Sequence, residues 1–249
     1  MTFRKLLAQD RPILGLYVVS PDPNLIEISA KAGLDYIRID LEHGLLSYSE
    51  VREIVRTATL SHMPVQVRVN NLSDVTKLLD FGVTGIIVPG VDSVEAAKDA
   101  VNLVKYSPLG NRSFNNGARL FKFDSSEFMD YIKTANEEVL LGIQIESKQA
   151  IDRIDEILSV EGIDMVSSGK GDLSQSYGIL GQNTHPLILE KEAYIIHKAI
   201  EHKKIPTVLT TSSSRTKELF ALGCRILTLG SDMDIYAAGI REFINQVRH

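Results

Sequence analysis

The chain alternates short apolar runs with longer stretches whose apolar positions fall near helical spacing. Ile13 to Val19 is a compact β-rich run, and Pro23 to Ala32 follows with Leu25, Ile26, Ile28 and Ala32 spaced as on one helix face. The same pairing recurs at Tyr36 to Asp40 with Ser47 to Ser61, at Val65 to Val69 with Asp74 to Asp80, and at Gly85 to Pro89 with Val94 to Tyr106. A longer loop and a helix predicted around Glu127 to Asn136 come next. Four more units complete the pattern: Leu140 to Glu146 with Ala150 to Val160, Met165 to Gly169 with Leu187 to His202, Pro206 to Thr210 with Ser214 to Leu222, and Arg225 to Gly230 with Asp232 to Val247. Parallel neighbours need a crossover connection, which the intervening helix supplies. Eight such units predict an α/β fold, a closed (β/α)8 TIM barrel forming one domain over residues 1–249. A doubly wound dinucleotide fold loses its main support, because Ser20-Pro21-Asp22-Pro23 stands where its Gly-rich turn belongs. Gly33, Gly82 and Gly223, each shortly before a strand, read as helix C-terminal caps.

Composition adds exclusions. A chain of 249 residues with 44% hydrophobic and 24% charged content can bury a full core. A net charge of −5 gives no basic surface for a polyanion, so nucleic acid is not an expected partner. No apolar run approaches the roughly 20 residues of a membrane span. The lone Cys224 forms no internal disulfide, and Met1 to Asp10 carries Arg4, Lys5 and Asp10 without a signal-type apolar core, so a cytoplasmic location is expected.

Several predicted strands end on or just before an ionisable residue, at the barrel face where such folds place their chemistry. Glu146 ends Gly142-Ile143-Gln144-Ile145-Glu146; by itself it reads as a carboxylate favoured by the dipole of a helix starting near Ser147. Asp172 follows the next strand in the Gly-rich corner Ser168-Gly169-Lys170-Gly171-Asp172, and by itself reads as a turn aspartate. Together they make a minimal oxygen ligand set for a divalent cation that keeps several waters or substrate oxygens. Arg68 closes Val65-Gln66-Val67-Arg68; its fork of donors suits a substrate carboxylate or developing enolate oxygen, or else a salt bridge to a neighbouring strand-end acid. Asp40-Leu41-Glu42-His43 packs two acids and a histidine into the second βα loop. There His43 is either a general base or a solvated loop residue. The remaining histidines show no metal-ligand spacing.

In order and spacing these residues resemble the HpcH/HpaI aldolases, the metal-dependent class II pyruvate aldolases. The resemblance runs from Ile13-Leu14-Gly15-Leu16 through Ile39-Asp40-Leu41-Glu42-His43, Val67-Arg68, Leu79-Asp80-Phe81-Gly82, Gly85-Ile86-Ile87-Val88-Pro89 and Gln144-Ile145-Glu146 to Gly171-Asp172-Leu173-Ser174. It implies a barrel whose last helix is exchanged between subunits of a homo-oligomer, usually a hexamer built as a trimer of dimers. It implies a divalent metal, magnesium, manganese or cobalt, held by Glu146 and Asp172. Arg68 then grips the pyruvyl oxygen, Gln144 helps place the oxoacid, and the backbone amides of Gly171 and Asp172 receive its carboxylate. His43, oriented by Asp80, moves protons through water that Asp40 and Glu42 support. The chain departs from the pattern at Lys170, where relatives commonly have Pro, Thr or Asn. That lysine is either a solvated turn residue or a contact for a second anionic group. It departs again in the loop of residues 107–123, a surface connection or a lid whose Arg112 and Arg119 suit a carboxylate or polyhydroxylated tail.

The chemistry the resemblance implies is reversible cleavage of a 2-oxo-4-hydroxy acid, of sugar-acid or dicarboxylate type, into pyruvate and an aldehyde. Breaking a carbon–carbon bond beta to a ketone leaves an enolate, which a Lewis-acid metal and Arg68 stabilise. One alternative is a citrate-lyase-beta-like or citrate-synthase-like enzyme acting on an acyl-CoA and an oxoacid. The other is a catalytically silent binding subunit, against which the joint presence of His43, Arg68, Asp80, Glu146 and Asp172 speaks.

Overall fold

A computed structural model of the chain describes residues 1–115 and 128–248. Among these, β1 (Ile13–Val18), β2 (Tyr36–Asp40), β3 (Val65–Arg68), β4 (Gly85–Val88), β5 (Leu140–Ile145), β6 (Met165–Ser168), β7 (Ile205–Thr210) and β8 (Ile226–Ser231) pair in parallel in chain order. β8 returns to β1 and closes the barrel, as expected. A short α1 (Phe3–Leu7) precedes β1; α2 (Pro23–Lys31), α3 (Tyr48–Leu60), α4 (Val75–Asp80) and α5 (Val94–Val104) follow the first four strands, and α6 (Phe128–Glu138) leads into β5. Then come α7 (Lys148–Asp152) and α8 (Ile154–Leu158), α9 (Lys170–Ser176), α10 (Pro186–Glu201), α11 (Ser213–Ala221) and α12 (Asp232–Arg248).

Local chemistry sets these boundaries. Asp22 accepts from the Asn24 N–H with Pro23 in the first turn of α2, Ser47 and Glu50 cap α3 reciprocally, and Ser93 and Ser147 cap α5 and α7. Gly33, Gly82 and Gly223, at φ +93°, +100° and +101°, follow α2, α4 and α11 in the left-handed region that glycine tolerates.

Three elements differ from the sequence expectation. The single helix predicted over Ala150 to Val160 breaks at Arg153, which lets Ala150 and Ile151 bury before the break and Ile154, Ile157 and Leu158 after it. The Gly-rich corner before Asp172 is the first turn of α9, not an open loop. Helix α1 carried no periodic signal because it is a single turn of five residues.

Side chains alternate across the closed sheet. Ile37, Ile39, Val65, Val67, Ile86, Leu141, Ile143 and Ile145 belong to the large core shared with the surrounding helices. Ile13, Tyr36, Ile87, Leu140, Met165 and Ile226 form a second cluster at the lower end of the barrel, which α1 plugs with Phe3 and Leu6. Phe3 stands edge-on to Tyr36 with ring centroids 5.3 Å apart. Asp164 holds the plug electrostatically, accepting from Arg4 Nη2 (2.9 Å), from buried Lys105 Nζ (2.7 Å) and from the Leu141 N–H (2.9 Å). Above the apolar floor the interior turns polar, with buried Arg38, Gln66, Ser167, Thr207 and Thr228. Among the described residues no helix is long and apolar enough to cross a membrane.

Phe3 is fully buried against Tyr36, so Phe3→Ala is expected to cost about 3–4 kcal/mol of unfolding free energy through lost burial and a residual cavity. Urea titration checks this; an unchanged midpoint would mean that the barrel floor does not depend on α1.

Candidate active site

The carboxyl ends of β1, β2, β3, β5, β6, β7 and β8 surround a cavity of about 360 Å³. Its lining includes Tyr17, Arg38, Asp40, His43, Arg68, Gln144, Lys170, Gly171 and Asp172, so most of the sequence-identified residues meet in one space. Period-two alternation is what brings them there: Asp40 and Arg68 are register partners on β2 and β3, and Gln144 and Glu146 are two residues apart at the end of β5.

Arg68 is engaged by the acids beside it. Its Nε and Nη2 donate to Asp40 at 3.0 and 2.6 Å, and its Nη1 lies 2.8 Å from Glu42 Oε2. Burial drives the Asp40 carboxyl up, but the Arg68 guanidinium and the N–H groups of Glu42 and His43 outweigh it and hold Asp40 below the usual carboxylate range. Asp40 and Glu42 thus fix a guanidinium. The salt-bridge alternative for Arg68 holds, and it leaves Arg68 on the cavity wall. His43 is largely exposed and its Nε2 stands 3.8 Å from Glu42 Oε2.

Glu146 sits in a different environment. Its Oε1 accepts the Gly90 N–H at 2.6 Å and its Oε2 accepts Gln144 Nε2 at 2.9 Å, while a Cβ at position 169 would overlap its carboxylate, so glycine is required there. No cation pairs with it among the described residues. Burial, opposed by the Gly90 bond and reinforced by the negative charges of Asp172 and Glu42, pushes the Glu146 carboxyl up to about 7. The other amide atom of Gln144, Oε1, is buried with no hydrogen-bond partner. Two carboxylates that repel each other and an unsatisfied amide oxygen nearby are hard oxygen donors, and they fit a divalent cation that retains waters or substrate oxygens. Among the described residues no cluster of three or more His, Cys, Asp or Glu forms.

Two expected contacts are not made within the chain. Asp80 does not orient His43: its carboxylate accepts from Arg112 Nη2 at 3.3 Å and from Asn115 at 3.4 Å. The reason is topological. Asp80 is the last residue of α4, and a helix that returns antiparallel to its strand ends at the face opposite the strand-end site. Arg112 does not reach the cavity either; it is buried against Asp80, the Tyr131 hydroxyl at 3.1 Å and the Tyr106 ring. Arg119 and the rest of residues 116–127 lie outside the described residues.

Lys170 is no solvated turn residue. Its Nζ lies 3.0 Å from Oε1 of Glu192 on α10, a carboxylate with no exposed surface whose other oxygen takes Arg215 Nη2 at 2.6 Å. Sequence reasoning missed Glu192 because one acid within an amphipathic helix carries no signal of burial. It also missed Arg38, although Tyr36-Ile37-Arg38-Ile39-Asp40 contained the clue: in a strand buried on both faces, period two places Arg38 on the same side as Asp40.

A carboxyl whose pKa is higher folded than unfolded binds more protons in the native state, so it reduces stability as pH rises between the two values. For Glu146 that window runs from about 4.5 to about 7. Glu146→Gln, which still accepts from Gly90, is expected to stabilise the metal-free protein by about 2–3 kcal/mol at pH 8 and by much less at pH 5. Urea titrations of chelator-treated protein at both pH values measure the difference; a gap that does not widen with pH would mean that Glu146 ionises freely.

A model of the HpcH/HpaI aldolase/citrate lyase family matches residues 14–238. The hydroxypyruvate/pyruvate aldolase of Deinococcus radiodurans is 33% identical over 246 residues, covering 96% of this chain and 87% of that one. The 2-keto-3-deoxy-L-rhamnonate aldolase of Klebsiella pneumoniae is 30% identical over 241 residues, covering 96% and 90%. The crystal structure of an HpcH/HpaI aldolase from Desulfitobacterium hafniense superposes with a TM-score of 0.92 at 28% identity, over 100% of this chain and 97% of that one. The match runs from β1 into α12, and the chain belongs to the HpcH/HpaI aldolase/citrate lyase family.

Proposed function

We propose that the protein is a divalent-metal-dependent aldolase, a carbon–carbon lyase that reversibly cleaves a 2-oxo-4-hydroxy acid to pyruvate and an aldehyde. The observation that carries this is the meeting, at the strand ends, of Asp172, Arg68 and Gln144, whose Oε1 is unsatisfied, on one cavity, with Glu146 behind them bonded to the Gln144 amide and within reach of the Asp172 and Arg68 charges. The aldolase names of the relatives favour it over the acyl-CoA alternative.

Glu146 and Asp172 are the residues to hold magnesium, manganese or cobalt, which when bound supplies Lewis-acid stabilisation of enolate charge. The oxoacid carboxylate lies against the N–H groups of Gly171 and Asp172, in the first turn of α9, where no intrahelical acceptors are available. In the cleavage direction a base takes the proton from the C4 hydroxyl. C4 becomes the aldehyde carbonyl, and the electrons of the C3–C4 bond pass to the C2 oxygen. Arg68, pre-oriented by Asp40 and Glu42, faces the enolate oxygen as its charge develops. Exposed His43 at the cavity rim moves the proton and returns one to C3 of the enolate. The buried thiol of Cys224 agrees with a cytoplasmic enzyme.

We further infer a homo-oligomer, a hexamer arranged as a trimer of dimers with α12 exchanged between subunits. Along α12 only Asp232 is buried, while Met233, Ile235, Tyr236, Ile240, Phe243, Ile244 and Val247 stand exposed, a larger apolar face than a monomer keeps in water. Assembly also offers the route by which Asp80, remote from His43 in its own chain, could serve a neighbour's His43.

Purified protein with each metal is expected to release pyruvate from members of a panel of 2-oxo-4-hydroxy acids, and Glu146→Ala to reduce the rate at least about 100-fold. No release from any member, with metal binding intact, would overturn the aldolase assignment; turnover of acetyl-CoA with oxaloacetate instead would install the alternative. Sedimentation should show six copies of the 27.6 kDa chain. Mixing inactive His43→Ala and Asp80→Asn proteins should restore activity; an assembled but inactive mixture would confine both residues' work to one chain.

A further inference from the structure

Arg38 lies beneath the mouth of the cavity and crosses the barrel interior. It leaves β2, and its guanidinium donates from Nε to Gln66 Oε1 on β3 (2.5 Å), from Nη2 to Thr207 Oγ1 on β7 (3.2 Å) and from Nη1 to the Tyr17 hydroxyl on β1 (3.5 Å). Acceptors on three other strands converge on it, so the side chain forms the inner end of the cavity that it lines. It is 1% exposed.

All three acceptors are neutral, and among the described residues Arg38 has no carboxylate partner. A buried guanidinium without a counter-charge is costly, and the layer around it contains nothing that calls for a cation. Asp40, two residues further along β2, and Glu42 already bind Arg68. The two guanidinia share one aromatic ring: Tyr17 has the Arg38 Cζ 5.3 Å and the Arg68 Cζ 5.4 Å from its centroid. A guanidinium also has more N–H donors than these three bonds use. The inner end of the cavity therefore carries a positive charge that no carboxylate among the described residues offsets.

We propose that Arg38 is a positioning residue for the anionic substrate: its charge draws the oxoacid to the inner end of the cavity and sets its orientation under Arg68. This rests on the cavity being an oxoacid site and adds a determinant of affinity below the strand-end residues. The counter-charge missing from the protein is supplied by the ligand.

The test uses oxalate, a small dianion, on magnesium-loaded protein. Calorimetry should show oxalate affinity falling at least about 10-fold in Arg38→Met, the scale of a lost charged hydrogen bond, and recovering to within about threefold of wild type in Arg38→Lys. Magnesium affinity should stay unchanged, and KM for the oxoacid should rise far more than kcat falls. A folded Arg38→Met protein that binds oxalate as wild type does would overturn the proposal and leave Arg38 a packing residue. If that variant does not fold, a crystal structure of the wild-type protein with oxalate decides. An oxalate oxygen linked to the Arg38 guanidinium directly or through one water supports the proposal, and an oxalate with no such link overturns it. Arg38-dependent oxalate binding without pyruvate release would remove the aldolase assignment and leave this one standing.

Discussion

In a closed parallel barrel every second side chain of every strand points into a shared interior, and an ionised group placed there has to find its compensation among the other strands. This chain puts Arg38, Asp40, Arg68 and Glu146 into that interior, and the arrangement of its site follows from how each is balanced. Asp40 and Arg68, side by side in register, balance one another and recruit Glu42. Arg38 one layer down has only neutral acceptors, and Glu146 across the barrel has only N–H donors. The bonded pair is a rigid part of the wall. The two uncompensated charges, of opposite sign, are where a ligand and a cation gain most.

The same buried charges set a cost against stability. Glu146 is held by the Gly90 N–H and the Gln144 amide, and burial, helped by the charge of Asp172, pushes its carboxyl up to about 7. A carboxylate that has to be ionised to bind a cation, but is kept from ionising by burial and a like charge, couples metal loading to folding. The apolar floor below offsets such strain: Phe3 and Leu6 of α1 close the lower end of the barrel, and Asp164 pins that closure through Arg4 and buried Lys105. The strand-end site and this apolar floor occupy opposite ends of one cylinder.

Lys170 illustrates how the surrounding helices reach into the site. Its ammonium is held by Glu192, which α10 buries completely, and Arg215 of α11 takes the second oxygen. Three residues from three helices therefore decide the position of a single cation on the cavity wall. Beyond the single chain, α12 leaves its apolar side chains exposed, and Asp80 is bound to Arg112 and not to His43.

The order of eight strands, the capping glycines and the strand-end positions of Asp40, Arg68, Gln144 and Glu146 were legible in the sequence, because alternation, turn chemistry and parallel crossover rules are local. Helices α1 and α9 were not, since elements of five and seven residues are too short to show a period. Nor were the pairings. Which acid Arg68 bonds, which cation Asp80 bonds within its own chain, and whether Lys170 is solvated or held by Glu192 are settled between residues 28, 32 and 22 positions apart in the chain. The sequence by itself determined which residues stand at the strand ends, because strand and turn preferences act over a few neighbours. Only the tertiary structure decided which charges cancel and which remain, because compensation in a low-dielectric interior depends on distances that chain closure alone creates.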